Sequence, residues 1–334
     1  MSYYRPIPMA DPARPADALP LAGGWLWFDR VEVLARDAAP RLMAAADLPP
    51  EVKARLTAPR ADLAGLALDR PRLMGILNVT PDSFSDGGQF LAPEAAVAQG
   101  RLMAGAGAEI IDVGGESTRP GAAEVAVADE IARTAPVIAA LRAGGIDTAI
   151  SIDTRKGAVA HAALAAGADI VNDVSAFTYD LGLKDVTAQT GAPLCLMHAQ
   201  GTPQDMQTTP MQGDAVPAVR DFLQLHSDAL LARGVARERI VWDYGIGFGK
   251  SVAQNFSLLA RQQELLGLDF PLLAGWSRKG SLGQVSGLAQ GQRMVPSVAA
   301  ALLAVERGAR VVRVHDVADT VAALTVWQTM HDNN

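Results

Sequence analysis

RLMGILNVTPDSFSDGG, residues 72–88, changes character half-way along. It opens as an apolar run from Leu73 to Val79, interrupted by Asn78, and breaks at Thr80-Pro81. A short apolar run closed by a turn signal reads as a buried strand. Past the turn come two aspartates, two serines and two glycines. Polar groups such as Asn78, Asp82, Ser83, Ser85 and Asp86 just beyond a strand suit a ligand site, because a rigid scaffold commonly carries its binding groups on such loops.

Downstream the same rhythm repeats. Short apolar runs at 73–79, 109–113, 148–152, 170–173, 193–197, 240–243, 271–274 and 311–314 are predicted strands. Segments of helical period at 93–106, 129–143, 156–166, 183–190, 215–232, 253–266, 298–307 and 319–330 are predicted helices. Gly107-Ala108-Glu109-Ile110 is echoed by Gly167-Ala168-Asp169-Ile170 and Gly308-Ala309-Arg310-Val311, each a glycine that can close a helix before an apolar strand. Eight strand–helix units imply an α/β fold of the (β/α)8 TIM-barrel type, spanning 72–334. A doubly wound sheet is the alternative, though it usually has fewer units.

Residues 1–71 differ. The first 20 hold five prolines and read as an arm. Alternation around Trp25, Trp27, Val31 and Val33 fits one or two short strands, and 41–46 and 50–56 read as short helices. The segment is expected to be an appendage packed on the barrel, and deleting residues 1–70 is expected to leave the barrel folded, unless Trp25 and Trp27 cover core surface.

Composition narrows the function. The 334 residues carry a formal charge of −7 and 49% hydrophobic content, which points away from nucleic acid and anionic membranes. No signal peptide and no apolar run long enough to span a bilayer is legible, so a soluble cytoplasmic protein is expected. The single cysteine, Cys195, sits in the run PLCLM and reads as an inert core residue. GIGFGKS at 245–251 mimics a phosphate loop, but Tyr244 stands where that pattern needs glycine. GAG at 105–107 falls at a helix end, the five histidines are scattered, and neither a GxSxG elbow nor a zinc motif occurs.

A barrel concentrates function at the C-terminal ends of its strands. The predicted ends carry Asn78; Asp112 followed by GESTRPG; Asp153; Asn172 and Asp173; His198; Asp243; Ser277, Arg278 and Lys279; and Arg313, His315 and Asp316. Two carboxylates, Asp153 and Asp243, with Asn172 and Lys279, suit a flat heterocycle of alternating donors and acceptors. Taken singly, Asp153, Asp173 or Asp243 could equally be a helix N-cap. A cap or an indirect hydrogen bond is the expected role of Asp112, Lys279 and Arg278 alone would read as a solvated loop, and His315 alone as a buried hydrogen-bonding histidine. Arg313 and His315 alternate on the last strand and share a direction. With Lys279 and Asn78 they read as an anion site where Mg²⁺ could bridge a diphosphate, since that ion takes few protein ligands.

LNVTPDSFSDGG, IDVGGESTRPG, ISIDT, IVNDVSA, LMHAQGTPQDMQ, DYGIGFGKS, GWSRKGSLG and VRVHDV, in this order, resemble the dihydropteroate synthase family from about residue 72 onward. That resemblance implies a (β/α)8 barrel joining 6-hydroxymethyl-7,8-dihydropterin diphosphate to p-aminobenzoate, with release of diphosphate and formation of 7,8-dihydropteroate, a folate precursor. It assigns Asp153, Asn172, Asp243 and Lys279 to the pterin ring, Asn78, Arg313 and His315 to the diphosphate and Mg²⁺, and Thr118, Arg119, Pro120, Phe84 and Ser277 to the p-aminobenzoate pocket. Asp86 and Arg119 fall on two loops that close over the reactants in such enzymes, the first with Gly87 and Gly88 as its expected hinges. The implied chemistry is dissociative and needs no nucleophile, and a homodimer is implied. Tyr244 departs from the family's usual proline beside Asp243, as do Ala199 and Gly280 at their own positions. A methyltetrahydrofolate-binding methyltransferase domain and a non-catalytic paralogue are the other readings. The first would not need TPDSFSDGG or STRPG, and intact Asn78, Asp86, Arg119, Lys279 and Arg313 argue against the second.

Overall fold

The computed structural model describes residues 2–35, 38–80, 93–206, 208 and 210–332. The segment before the barrel is folded. Strands β1 (Ser2–Pro6), β4 (Arg30–Ala35) and β5 (Ala38–Ala44) form an antiparallel sheet in the order β1-β4-β5, and β2 (Leu19–Pro20) pairs with β3 (Trp27–Phe28). Helix α1 (Pro50–Thr57) starts with proline in its first turn, where the missing N–H costs nothing. Two expectations change here. The first 20 residues do not trail as an arm, because β1 pairs along its whole length with β4. Residues 41–44, read as the start of a helix, belong to β5, whose pairing to β4 overrides the local preference of Arg41, Leu42 and Met43.

The barrel follows in chain order: β6 (Arg72–Asn78), β7 (Ile110–Gly114), β8 (Ala149–Asp153), β9 (Ile170–Asp173), β10 (Leu194–Met197), β11 (Ile240–Asp243), β12 (Leu272–Ala274) and β13 (Ala309–Val314). All neighbours pair in parallel, and β13 closes on β6. Between strands run α2 (Pro93–Gly105), α3 (Val127–Ala143), α4 (Gly157–Ala165), α5 (Gly182–Thr190), α6 (Ala215–Leu231), α7 (Val252–Ala260), α8 (Gly280–Ser286) and α9 (Met294–Glu306), with α10 (Val317–Asp332) after β13. The (β/α)8 reading therefore holds, with α8 an unforeseen short helix. Gly107, Gly167 and Gly308 all have positive φ, as the helix-to-strand echo requires.

One helix falls short of its expected length. The helix read over 253–266 stops at Ala260 and continues as two tight turns, Gln262–Glu264 and Leu266–Leu268. The first turn aims the buried Gln262 carboxamide at the Tyr244 hydroxyl (2.8 Å) and the Ala304 carbonyl (3.0 Å). At Gly267 a Cβ would lie 2.7 Å from the Tyr4 carbonyl oxygen, so β1 crosses this turn in direct backbone contact.

Alternation along each strand divides the barrel interior into storeys. The lowest holds one apolar residue from every strand: Met74, Ile110, Ala149, Ile170, Cys195, Val241, Leu273 and Val311. Leu63 and Leu68, both 2% exposed, pack under this layer from the segment preceding β6. Each contributes about 1.5–3 kcal/mol by leaving water. Cys195 is thus a core residue, and burial holds its thiol well above the ordinary value. The intervening strand residues point outward, where Ile111, Ile150, Val171, Trp242 and Val312 join the helices in one core that also includes Phe28, Val31, Leu48 and Leu56. Arg310 adds a polar link between the two parts. Its guanidinium donates to the carbonyls of Leu68 (2.8 Å), Leu21 (3.0 Å) and Ala22 (3.1 Å) and lies over the Trp25 ring.

Candidate active site

Two residues further along the strands, the interior turns from hydrocarbon to charge. Asp112 on β7, Ser151 on β8, Asn172 on β9, Asp243 on β11 and Arg313 on β13 each follow a residue of the apolar layer by two positions. Arg313 organises this storey. Its Nε donates to Asp112 Oδ2 at 2.6 Å and its Nη2 to Asp153 Oδ2 at 2.6 Å. Asn172 Nδ2 donates to the same Asp112 oxygen at 3.1 Å. Asp112 therefore caps no helix; it orients the arginine and the amide. The caps of the following helices are elsewhere, Lys156 for α4 and Ser251 for α7, so Asp153 and Asp243 are free of that duty too. Asp173 differs. Its carboxylate accepts from Ser175 N (2.8 Å), Ser175 Oγ (2.7 Å) and Phe177 N (2.6 Å), and so shapes a turn whose Ala176 and Phe177 both have positive φ.

Asp243 accepts from Gly245 N at 2.7 Å, and its other oxygen faces Gly275, where a Cβ would stand 3.8 Å away. Gly245 is obligatory: φ is +65°, and a Cβ would meet the His198 carbonyl oxygen at 1.9 Å. Tyr244 does not disturb this turn. Its ring points away among the helices, fully buried, with its hydroxyl donating to Gln262. Lys250, the lysine of the false phosphate loop, is also structural. It is buried and donates to the carbonyls of Gly245 (2.7 Å), Phe248 (3.2 Å) and His198 (3.3 Å).

The remaining predicted groups meet at the same mouth. Lys279 Nζ lies 4.2 Å from the Phe248 ring centre and interacts electrostatically with Arg313, Asp243 and Asp153. Ser277 Oγ bonds His315 Nδ1 at 3.0 Å and accepts from the His315 backbone N–H at 3.1 Å. Asn78 pairs in register with Gly114, and Gly114 with Asp153; a Cβ on Gly114 would lie 3.5 Å from Asn78 Oδ1 and 3.6 Å from Asp153 Cβ. Asn78, Asp153, Asn172, Asp243, Ser277, Lys279, Arg313 and His315 are thus brought together. Thr118, Arg119 and Pro120 lie on the loop after β7. Thr118 is half-buried, the other two are exposed, and no hydrogen bond among the described residues joins them to Ser277. Phe84 and Asp86 lie outside the described residues.

Burial sets the charge pattern. It lowers Lys279 to about 8, helped by Arg313 and opposed by Asp243 and Asp153. It raises the carboxyls of Asp153 and Asp243, against Arg313 in the first case and the Gly245 N–H in the second. Burial alone would lower Arg313, but Asp112 and Asp153 outweigh it and hold the guanidinium charged. His315 falls to about 3 through burial and then the nearby Arg313, so its imidazole is neutral at pH 7. Two buried acceptors, Asp112 Oδ1 and Asn172 Oδ1, have no hydrogen-bond partner among the described residues. Open acceptors beside a lysine and an arginine can take the N–H edge of a planar heterocycle together with an anionic group. As for Mg²⁺, no cluster of three His, Cys, Asp or Glu occurs among the described residues. A neutral amide oxygen such as Asn78 Oδ1 fits an ion that keeps water and phosphate as its main ligands.

Glu116, Glu130, Arg155 and Lys156 escaped the sequence reading. They form a buried ionic network behind the loop after β7. Their spacing of about forty residues carries no local signal; the only hint was that Arg155 and Lys156 directly follow the strand end at Asp153.

Residues 74–315 match the family described as pterin binding enzyme. The dihydropteroate synthase of Haemophilus influenzae is 44% identical over 263 residues, covering 79% of this chain and 95% of its own. The solved structure of Xanthomonas albilineans dihydropteroate synthase with 4-aminobenzoic acid superposes with a TM-score of 0.76 at 49% identity, covering 81% of this chain and 98% of its own. A second structure of that enzyme, in complex with 7,8-dihydropteroate, gives 0.73 at 46% identity over 81% and 98%. No helix among the described residues is long and apolar enough to cross a membrane. With its motifs, its closed barrel and its relatives in agreement, the chain belongs to the dihydropteroate synthases, a family of pterin-binding transferases.

Proposed function

We propose that this chain condenses 6-hydroxymethyl-7,8-dihydropterin diphosphate with p-aminobenzoate, and that its own residues divide the work as follows. The observation that carries this division is the bonded row Asn172–Asp112–Arg313–Asp153, with Lys279 and Asp243 at the same mouth. Asp153 and Asp243 accept the amino and ring N–H groups of the pterin, Asn172 adds a donor and an acceptor, and Lys279 donates to the ring carbonyl side. The guanidinium N–H groups that Arg313 does not spend on Asp112 and Asp153, with neutral His315 and Asn78, hold the diphosphate.

The C–O bond to the leaving group breaks first, its electron pair departing with diphosphate, and the pterin carries the positive methylene carbon. The amine nitrogen of p-aminobenzoate then forms the C–N bond and loses a proton. The protein orients both reactants, stabilises the separating charges with Arg313 and Lys279, and keeps water from the cation. Mg²⁺, held on the protein side by Asn78, would neutralise charge on the departing diphosphate. Thr118, Arg119, Pro120, Phe84 and Ser277 receive p-aminobenzoate, and Asp86 and Arg119 act as the reactants come together. The same proposal covers a homodimer and a cytoplasmic setting. Exposed Val295 and Leu303 on α9 and Val326 on α10 give adjacent helices an apolar outer face, which supports self-association.

The test is a diphosphate-release assay on the pterin diphosphate, with and without p-aminobenzoate and Mg²⁺. Release that requires all three components and yields 7,8-dihydropteroate is expected. No release with all three present would refute the proposal. Light scattering of the eluted protein at twice the monomer mass is expected; a monomer would refute the dimer.

A further inference from the structure

The loop between β7 and α3, residues 115–126, carries Thr118, Arg119 and Pro120, and one lysine holds both of its ends. Lys156 is 2% exposed, and its ammonium spends its three donors on three acceptors: the Glu116 carboxylate at the start of the loop, the Val125 carbonyl at its end (2.5 Å), and Glu130 in the helix that follows (2.6 Å). The acceptors are themselves fixed. Glu116 takes a second bond from Arg155 Nη2 at 2.5 Å, and Glu130 takes one from Thr154 Oγ1 at 2.6 Å. Two outer ties follow. Arg155 stacks on the Tyr179 ring at 3.9 Å, and the Tyr179 hydroxyl donates to Glu124. At the tip, Gly121 N donates to the Pro203 carbonyl at 2.9 Å.

Both lysine-held points lie outside the residues assigned to p-aminobenzoate. Thr118, Arg119 and Pro120 fall between Glu116 and Val125, so the span they occupy is set by where those two points are pinned. Thr154, Arg155 and Lys156 leave the barrel directly after Asp153, so the same turn that presents a pterin-binding carboxylate also sets the loop. We infer that Lys156, with Glu116, is a positioning residue that pre-forms the p-aminobenzoate side of the site and registers it against the pterin floor; this rests on the substrate assignment proposed above. A buried charge would be a poor choice for mere packing, because an apolar side chain avoids the cost of desolvation. What the ammonium adds is direction: three bonds to three chain segments whose geometry an apolar contact would not define.

The experiment compares Lys156→Met, Lys156→Arg and Tyr179→Phe with the unaltered chain. Amide hydrogen exchange is read over 115–126 and over β8 and β9, and KM is measured for each substrate. For Lys156→Met, exchange in 115–126 is expected to quicken at least tenfold with β8 and β9 still protected. Its KM for p-aminobenzoate is expected to rise at least tenfold, while that for the pterin diphosphate stays within about twofold. Lys156→Arg is expected to recover most of both effects. Tyr179→Phe, which leaves the buried bonds in place, is expected to raise the p-aminobenzoate KM two- to threefold, and it keeps the inference testable should Lys156→Met not fold. Unchanged exchange in 115–126, equal rises in both KM values, or no recovery with arginine would overturn the inference. If the unaltered chain makes no dihydropteroate, the proposed function fails, and the exchange comparison still decides whether Lys156 holds the loop.

Discussion

Replacing Arg313 by methionine removes the one guanidinium that neutralises both Asp112 and Asp153. Asp112 is fully buried, the Asp153 side chain is 9% exposed, and the Arg313 side chain is 19% exposed. Breaking a buried pair by deleting one partner typically costs about 3–5 kcal/mol, because a charge is left without a counter-ion. Here Asp112 loses its ion-pair partner outright, and Asp153 keeps only its electrostatic interaction with Lys279. The expected loss is therefore at the upper end, about 5 kcal/mol in urea unfolding of the ligand-free protein at 25 °C. Adding Asp112→Asn and Asp153→Asn removes both stranded charges, and should restore more than half of that loss. Substrate binding adds a second, separable effect. A lost charge-assisted bond weakens the diphosphate substrate by about 1.5–3 kcal/mol, roughly 10- to 150-fold in Kd, with p-aminobenzoate affected far less. The assays are urea unfolding for the stability cycle and titration calorimetry for the two ligands. A single variant within 1 kcal/mol of the parent, or a triple variant no better than the single, would refute the view that Arg313 holds this storey together. Equal losses for both substrates would refute its assignment to the diphosphate.

Three further outcomes are expected. Pterin binding should be strongest between about pH 7 and 8, weakening above it toward tenfold per pH unit because Lys279 loses its proton near 8, and below it because Asp153, raised by burial to about 7, takes a proton up; calorimetry from about pH 6 to 9.5 reads this, and a flat profile, or an unchanged alkaline limb in Lys279→Met, contradicts it. Tyr244→Phe strips the buried Gln262 oxygen of its donor and should cost about 1–3 kcal/mol in urea unfolding. Its kcat and KM should stay at parental values, since the tyrosine faces away from Asp243, and a tenfold fall in turnover would show otherwise. Deleting residues 1–70 should now give an aggregating protein, because Leu63 and Leu68 leave the barrel floor and Arg310 loses the carbonyls of Leu21, Ala22 and Leu68; a soluble truncated chain melting at the parental temperature would prove this wrong.

The barrel was legible because its strands are mostly buried on both faces and so read as short, largely apolar runs, with polar residues collecting toward their ends. Residues 170–173 and 240–243 emerge with the boundaries read from sequence. β5 was not legible for the opposite reason. Its residues 38–44 are almost all exposed, so no periodicity marks them, and only the partner strand β4 makes them extended. The helix over 253–266 was over-read because its last residues follow helical preference, while Gln262 is recruited by Tyr244 and Ala304. Within the site, the strand-end groups were found because topology places them. Asp112 was expected to cap a helix or to make an indirect hydrogen bond, and the second holds, but its partner Arg313 was not legible, nor was any role for Lys156, since a carboxylate that steers an arginine two hundred residues away and a lysine that closes a loop forty residues back leave no mark on their own neighbourhoods.

The storeyed interior bears on which changes this chain can tolerate. On β7, β8, β9, β11 and β13 the polar storey begins two positions beyond the apolar layer, so neighbouring positions along a strand face opposite ways. Inserting or removing one residue within β7, β8 or β13 would turn Asp112, Asp153 or Arg313 toward the helices and bring a branched aliphatic residue into the mouth. Insertions between Glu116 and Val125, the two points of the loop that Lys156 holds, meet no such barrier. Changes of chain length should therefore be tolerated best in the loops at the mouth, where the proposed p-aminobenzoate residues Thr118, Arg119 and Pro120 lie. The strand-borne storey of Asp112, Asp153, Asn172 and Arg313 would stay fixed in register beneath them.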